Sequence, residues 1–360
     1  MQTILNYLKL LLYPLSWIYL AVVKTRNYLY DKQVFKKKSF DIPIISVGNI
    51  STGGTGKTPM SAYLIEYFEE KGMKTAYLSR GYGRKSSGYK RVHPETSTFL
   101  EVGDEALQIA CTYPNAFVAV CENRSLGVEK IISEQKVDLI ILDDAFQHRS
   151  IDRNVDIVMI DANNPPWKDK IFPVGNLREP AINLKRADLL IVNKTKDEDI
   201  LKKTKKFLKK KPFCYAHFKP QYIVALNNPT EQLPLSQFSR KPCLVFCGTA
   251  NNRYFYEIAK QADMNPVYFY QFKDHHKYSS RHIFKILNKF KKLSSKHIFT
   301  DSPIILTTHK DAVRIMKEEW FIENFHKYPI YYLAIKIEIS DGKETLLKTL
   351  KPFIKENATA

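Results

Sequence analysis

The chain has 360 residues, 44% of them hydrophobic, which allows two domains of ordinary size and argues against general disorder. Cys111, Cys121, Cys214, Cys243 and Cys247 are scattered with no C-x-x-C pair, which argues against a zinc site or disulfide framework and fits a reducing compartment. The formal charge of +19 favours an anionic partner, whether nucleic acid, an anionic membrane surface or a phosphorylated substrate.

In residues 1–24, Ile4, Leu8, Leu11, Leu15, Ile18 and Val22 recur at helical spacing, while Gln2, Asn6, Lys9, Tyr13 and Ser16 trace a more polar face. Trp17, Tyr7, Tyr13 and Tyr19 suit a headgroup boundary, and Lys24, Arg26, Lys32 and Lys36–Lys38 follow at once. A spanning helix needs roughly 20 apolar residues. Here Lys9 leaves only Leu10–Val23, with Pro14 inside it. The expectation for residues 1–40 is therefore an amphipathic helix and basic linker lying peripherally on the cytoplasmic face of a bilayer, which the resemblance described below makes the inner membrane. A spanning helix, a cleaved signal peptide and a helix packed on its own domain are the alternatives.

Residues 41–214 then alternate strands with helices. Strands are expected at Ile42–Val47, Thr75–Ser79, Ala116–Val120, Val137–Leu142, Asp156–Ile160 and Ala187–Val192. Helices are expected at Thr58–Lys71, Glu105–Thr112 and Leu126–Glu134, with a Gly/Ser/Arg-rich loop at Arg80–Lys90. A lysine-rich helix near Asp197–Lys211 closes the region. Residues 215–240, rich in proline, read as an extended linker. A smaller α/β unit over 241–360 has strands at Cys243–Cys247, Val267–Phe272, Ile304–Thr307 and Tyr331–Ile337. The fold class is α/β: a P-loop NTPase-like, mostly parallel sheet domain, with the membrane-associated helix before it and a second α/β domain after it.

Ser51–Thr58 (STGGTGKT) lies between the first strand and first sheet helix. Such a turn cradles phosphates: the N–H groups of Gly53, Gly54, Thr55, Gly56 and Lys57 would wrap a β-phosphate beside the positive end of the helix. Lys57 would reach the β- and γ-phosphates of ATP, and the Thr58 hydroxyl would bind Mg²⁺. Ser51 stands where the general motif has its first glycine, and Thr52 where one ATPase subclass has an extra lysine. Val137–Leu142 ends in Asp143-Asp144, which supplies a metal-facing carboxylate at the end of a buried strand. Either aspartate serves the Mg²⁺ shell, and Glu105 is a further candidate.

These motifs stand in the order of one known family. Gly48-Asn49 precedes STGGTGKTP; Ser79-Arg80-Gly81-Tyr82-Gly83, Val102-Gly103-Asp104-Glu105 and Leu142-Asp143-Asp144-Ala145-Phe146-Gln147-His148 follow. Pro173-Val174-Gly175-Asn176-Leu177-Arg178-Glu179-Pro180, Asp274-His275-His276 and Thr307-Thr308-His309-Lys310-Asp311-Ala312 complete the series. The chain thereby resembles the tetraacyldisaccharide 4′-kinase (lipid A 4′-kinase) family, in whose loop Ser51 is usual.

The resemblance implies MgATP-dependent phosphorylation of the 4′-hydroxyl of a tetraacyldisaccharide 1-phosphate, a late step of lipid A biosynthesis. It carries over Asp104 and His275 as the pair acting at the acceptor hydroxyl; Lys57, read from the glycine turn itself, is the third catalytic group. A carboxylate that takes a hydroxyl proton late is useful there. Asp104 has the alternative of capping the helix behind it, and His275 that of a surface-loop residue. Arg80, Gln147, Asn176 and Arg178 are the candidates for holding substrate. Thr308-His309-Lys310 and the loose turn Phe246–Asn251 depart from the family pattern.

Two other classes compete. A membrane-bound nucleotide switch would share the glycine turn, but Thr52 counts against the lysine-bearing subclass, and Asn193-Lys194-Thr195-Lys196 lacks the aspartate of a guanine reader. A nucleic-acid-binding protein would use the charge, yet the basic runs carry no base-stacking motif. The expected partners are the acylated disaccharide and a lipid surface, with no nucleic acid and no obligate protein partner.

Overall fold

The computed structural model describes residues 11–193, 211–295, 299 and 301–354. The lysine-rich helix expected near Asp197–Lys211 lies, apart from Lys211, outside the described residues, as do residues 1–10. Helix α1 spans Tyr13–Asp31. The first half of the sheet holds β1 (Ile44–Gly48), β2 (Thr75–Ser79), β3 (Lys90–Arg91), β4 (Phe117–Val120), β5 (Leu139–Asp143), β6 (Val155–Asp161) and β7 (Leu189–Asn193). Its longer helices are α2 (Lys57–Glu69), α3 (Asp104–Thr112) and α4 (Arg124–Glu134), with a single helical turn at Phe99–Val102. Each expected strand of this half, and each expected helix within the described residues, is present, with ends shifted by at most two residues. The start of α4 moves to Arg124 because Asn123 caps it, its side chain accepting the Leu126 N–H at 3.2 Å.

The second half contains β8 (Phe213–Ala225), β9 (Asn228–Pro234), β10 (Pro242–Cys247), β11 (Asn265–Gln271), β12 (Ile304–Thr308) and β13 (Ile330–Asp341). Helices α5 (Asn252–Gln261), α6 (Ser280–Ser294), α7 (His309–Ile315), α8 (Glu319–Asn324) and α9 (Lys343–Leu350) lie between and after these strands. All thirteen strands belong to one sheet, in the order β11-β10-β12-β13-β8-β7-β6-β1-β5-β2-β4-β3, with β9 on β8. Pairing is parallel except at β3–β4, β8–β9 and β8–β13.

The reading of 215–240 as a linker is corrected here: the segment lies within the sheet. β8 pairs with β7 on one side and β13 on the other, joining the two halves. The prolines misled because they sit where a strand tolerates them. Pro220 lies at the bulge in the β8–β13 ladder, and Pro229 and Pro234 lie on β9, which pairs with β8 alone.

The core has a layer on each sheet face. Ile45 and Val47 of β1 point to the layer holding Met60, Leu64 and Phe68 of α2, while Ile44 points to the layer holding Val128 and Ile131 of α4. β1 is flanked by β5 and β6, both parallel to it, so the connections diverge at its carboxyl end. Open α/β sheets form their ligand crevice at such a point. The glycine turn leaves β1 there.

Helix α1 docks with its polar side inward. Ser16 donates to Ile171 O (3.2 Å), Tyr19 to Arg178 O (3.0 Å), and Asn27 to the buried Glu179 (2.9 Å). Leu11, Leu15, Ile18 and Val22 are left outward, 53–75% exposed, with Trp17 beside them. A soluble helix ordinarily does the reverse. No helix among the described residues is long and apolar enough to cross a membrane.

Candidate active site

The turn after β1 is shaped by small residues and pinned from several sides. At Gly48 a Cβ would stand 2.6 Å from that of Phe146, so only glycine lets the segment after β5 approach. Gly56 caps α2 in the left-handed conformation (φ +96°), where a side chain would strike Asn193 and Phe218. Asn49 donates to the Thr55 hydroxyl (3.0 Å), Asn193 to Thr55 O (3.2 Å), and the Thr52 N–H to Asn176 O (2.8 Å). Gly56→Ala should weaken ATP binding at least tenfold through backbone strain and collision with Asn193. Calorimetric titration checks this, and unchanged affinity would mean that the turn tolerates reshaping.

Asp143 and Asp144 point apart, as their adjacency requires. The buried Asp143 Oδ2 accepts from the Tyr77 hydroxyl at 2.6 Å and from the Thr58 hydroxyl at 3.4 Å, and its Oδ1 accepts the Asp144 N–H at 2.9 Å. Asp144, at φ +49°, turns the other way. Arg178 Nη1 donates to both of its oxygens (2.8 and 3.0 Å), and Lys57 Nζ lies 3.7 Å from Oδ1. Burial, aided by the negative charge of Glu105, pushes Asp143 up to about 6. Burial also works to raise Asp144, but Lys57 and Arg178 outweigh it and the carboxyl lies below its usual value.

Beneath the pair, Arg124 Nη2 donates to Asp143 O at 3.1 Å, and burial lowers that guanidinium to about 10. Sequence reasoning missed Arg124, since nothing local separates it from a surface arginine at the start of a helix.

The raised Asp143 carboxyl has a consequence for stability. An acid whose folded pKa lies above its unfolded value contributes most when protonated, and that contribution is lost as pH rises through about 6. Metal-free Asp143→Asn protein should therefore be more stable than the parent at neutral pH, by up to about 3 kcal/mol at 1.36 kcal/mol per pH unit. The difference in denaturation midpoint should grow between about pH 4 and 7 and then level off. A pH-independent difference would count against a strained Asp143 charge.

The third group gathers at the start of α3. Gly103 precedes it at φ +85°, where a Cβ would press on the Gly81 backbone at 3.1 Å. Asp104 is the first residue of α3 and only 4% exposed. It does not cap the helix: its Oδ2 meets His275 Nδ1 at 2.9 Å and Arg314 Nε at 2.8 Å, and Arg314 Nη2 also donates to it. His275 is thus a partner of Asp104 and not a free loop residue, its ring lying 4.7 Å from that of Tyr82.

Lys310 Nζ stands 2.9 Å from Glu105 and 3.5 Å from His275 Nε2, so Glu105 is engaged by a cation in this structure. Burial would raise the Asp104 carboxyl, but the Lys310 charge, the His275 hydrogen bond and the Arg314 charge hold it well below the carboxylate range. Lys310 and Arg314 were not anticipated as partners of these acids. Their spacing of four on α7 places both on one helix face, and that was the available signal.

Two cavities meet over these groups. One, of about 490 Å³, is lined by Gly53–Thr58, Phe218, Tyr254, His275 and Lys310. The other, of about 510 Å³, is lined by Arg80, Asp143, Gln147, His148 and, from α1, Tyr19 and Arg26. Thr52, Tyr82, Glu105, Asp144 and Arg178 border both. Among the expected substrate contacts, Arg80, Gln147 and Arg178 face the second cavity. Gln147 also donates to Asn49 O (2.8 Å), bracing the turn. Asn176 lines neither cavity, and its carbonyl and side chain hold Thr52.

A parallel strand at a topological switch, a glycine-rich turn and a helix opening on Lys57 define a class: α/β proteins with a ligand crevice at the carboxyl ends of their strands. The comparisons with known proteins narrow it. A family profile described as tetraacyldisaccharide-1-P 4′-kinase matches residues 8–353. The tetraacyldisaccharide 4′-kinase of Bacteroides thetaiotaomicron is 36% identical over 349 residues, covering 92% of this chain and 90% of that protein. That of Pelodictyon phaeoclathratiforme is 33% identical, with coverages of 97% and 99%. A crystal structure of LpxK from Aquifex aeolicus in complex with ATP superposes with a TM-score of 0.77 at 28% identity, covering 97% of this chain and all of that one. The chain belongs to the tetraacyldisaccharide-1-P 4′-kinase family.

Proposed function

We propose that the chain transfers the γ-phosphate of ATP to the 4′-hydroxyl of a tetraacyldisaccharide 1-phosphate in lipid A biosynthesis. The observation that carries this reading is the junction of the two cavities, one over the glycine turn and one reaching α1, at Asp144 and Arg178. ATP takes the first cavity, with its phosphates on the N–H groups of Gly53–Lys57 and the Lys57 ammonium at the γ-phosphate. The acylated sugar takes the second, with Arg80 and Arg178 toward its phosphate and oxygen groups.

The residues fit Mg²⁺. Thr58 and Asp143 offer oxygen donors within 3.4 Å of each other, and a buried carboxylate pushed up to about 6 is one that a dication would return to its charged form. Among the described residues no cluster of three His, Cys, Asp or Glu side chains is a metal site by itself. Thr58 and Asp143 would hold the ion and Asp144 would border it; once bound, it neutralises charge on the β- and γ-phosphates.

Asp104 accepts the acceptor's proton while His275 orients the carboxylate. Phosphoryl transfer has a loose transition state, so that proton leaves late and a weak but well-placed base suffices. Water must be kept from the γ-phosphate, and the site's place between residues 41–214 and 241–360, with His275 and Arg314 of the second meeting Asp104 of the first, helps to exclude it. Purified protein with MgATP should phosphorylate an acylated disaccharide 1-phosphate in detergent micelles. ATP hydrolysis stimulated only by a protein partner would support the nucleotide-switch reading.

The outward apolar stripe of α1 supports peripheral attachment to the cytoplasmic face of the inner membrane, with the second cavity opening beside the lipid. Leu15→Asp, Ile18→Asp and Val22→Asp together should reduce partitioning onto anionic vesicles at least hundredfold, since each buried side chain is worth about 1.5–3 kcal/mol. Sedimentation with vesicles checks it, and a normal melting profile shows that the docked polar side is intact. Undiminished binding would remove α1 as the anchor.

A further inference from the structure

We propose that Arg314 is a positioning residue for phosphoryl transfer, its guanidinium occupying one oxygen of Asp104 so that the other is presented to the acceptor hydroxyl. This rests on the reading of Asp104 as the proton acceptor. Arg314 reaches from α7, in the second half of the chain, to Asp104 in the first, and is itself buried.

The donors around Asp104 are distributed unequally. Arg314 Nε (2.8 Å), Arg314 Nη2 and His275 Nδ1 (2.9 Å) all fall on Oδ2. Oδ1, equally buried, accepts no hydrogen bond, and Lys310 Nζ stands 4.0 Å from it. Buried carboxylate oxygens are ordinarily partnered. An unpartnered one at the start of α3, where the next residue, Glu105, borders both cavities, is a place for an outside donor, and a sugar hydroxyl is one.

The remaining nitrogen of the guanidinium ties this carboxylate to the other side of the site. Arg314 Nη1 donates to Asp311 (2.7 Å) and to Gly248 O (2.9 Å). Gly248 opens the turn that carries Ala250 against Gly54, where an added Cβ would stand 3.1 Å from that of Ala250. One rigid fork thus sets the acceptor-side base relative to the segment that packs on the phosphate turn. Lysine, a single point charge on a flexible stem, cannot hold both.

The test is a cycle of Arg314→Gln, Arg314→Lys and Asp104→Asn in the full chain, assayed with MgATP and acylated disaccharide 1-phosphate in micelles. Arg314→Gln should lower kcat at least thirtyfold with both KM values within threefold of the parent, and Arg314→Lys should recover part of the loss. In an Asp104→Asn background, Arg314→Gln should cost less than a further threefold, because the group it aims is already disabled. Penalties that multiply, or a loss confined to KM, would overturn the proposal. So would failure of both Arg314 variants to melt cooperatively, which would make the residue structural. Full activity of Asp104→Asn alone would instead overturn the role of Asp104, a distinguishable result.

Discussion

Lys57→Ala should lower kcat by at least about 10³ and weaken ATP binding, leaving no transfer above background in a steady-state assay. Preorganised charge aimed at developing negative charge is worth about 10²–10³ per donor, and a lysine at a γ-phosphoryl group carries a full charge into a water-poor site. The structure shows why no neighbour replaces it. Arg178, the other cation on Asp144, has Nη1 engaged by both carboxylate oxygens at 2.8 and 3.0 Å. Lys57 lies 3.7 Å from the same carboxylate, an ion pair loose enough to be exchanged for phosphate.

The fold should survive the substitution, since Asp144 keeps Arg178. A normal melting temperature with lost single-turnover transfer is the expected pair of results. Retention of full transfer by Lys57→Ala would show that the glycine turn does not hold the reacting phosphates.

Asp104→Asn should reduce kcat by about 10²–10⁴, the usual range for a general base, with the affinity for ATP within threefold of the parent. Asparagine is the better probe because it keeps an oxygen for Arg314 and His275. Alanine would leave a buried guanidinium short of one partner, at a cost of several kcal/mol unrelated to catalysis. The loss should appear in single-turnover transfer to the acylated disaccharide and not in nucleotide titration. A variant as fast as the parent would assign the proton to another acceptor, His275 being the nearest by geometry.

Much of this organisation was legible because it depends on short-range chemistry. The alternation of apolar runs with helical periods marks the first-half strands and helices, since each strand is buried on both faces and each helix on one. The glycine turn is readable for a different reason. Left-handed backbone at Gly53 and Gly56, and the close approach at Gly48, admit almost nothing but glycine, so the constraint is written in residue type. Asp143 and Asp144 announce themselves as acids ending an apolar strand.

The second half was read less fully. Residues 215–240 looked like a linker because a proline signals a break in isolation, whereas in the folded sheet it needs only a bulge or an edge. Only pairing with β7 and β13 reveals β8 as the strand that makes one sheet of two halves. The orientation of α1 was hidden similarly. Helical spacing marks two faces but not which one meets the protein, and it is Glu179 and the backbone of Ile171 and Arg178 that draw the polar face inward.

Taken alone, the sequence determined the α/β class, the glycine-rich turn, the pair of acids behind it and the family, because each rests on backbone geometry, periodicity or motif order that few residue types satisfy. The tertiary structure decided how Asp104 is held, that Glu105 faces Lys310, and that Arg124 and Arg314 reach Asp143 and Asp104. Those are charge contacts between residues as much as 210 positions apart in the chain, as for Arg314 and Asp104. Their energies depend on burial and on a few tenths of an ångström, which no local pattern encodes.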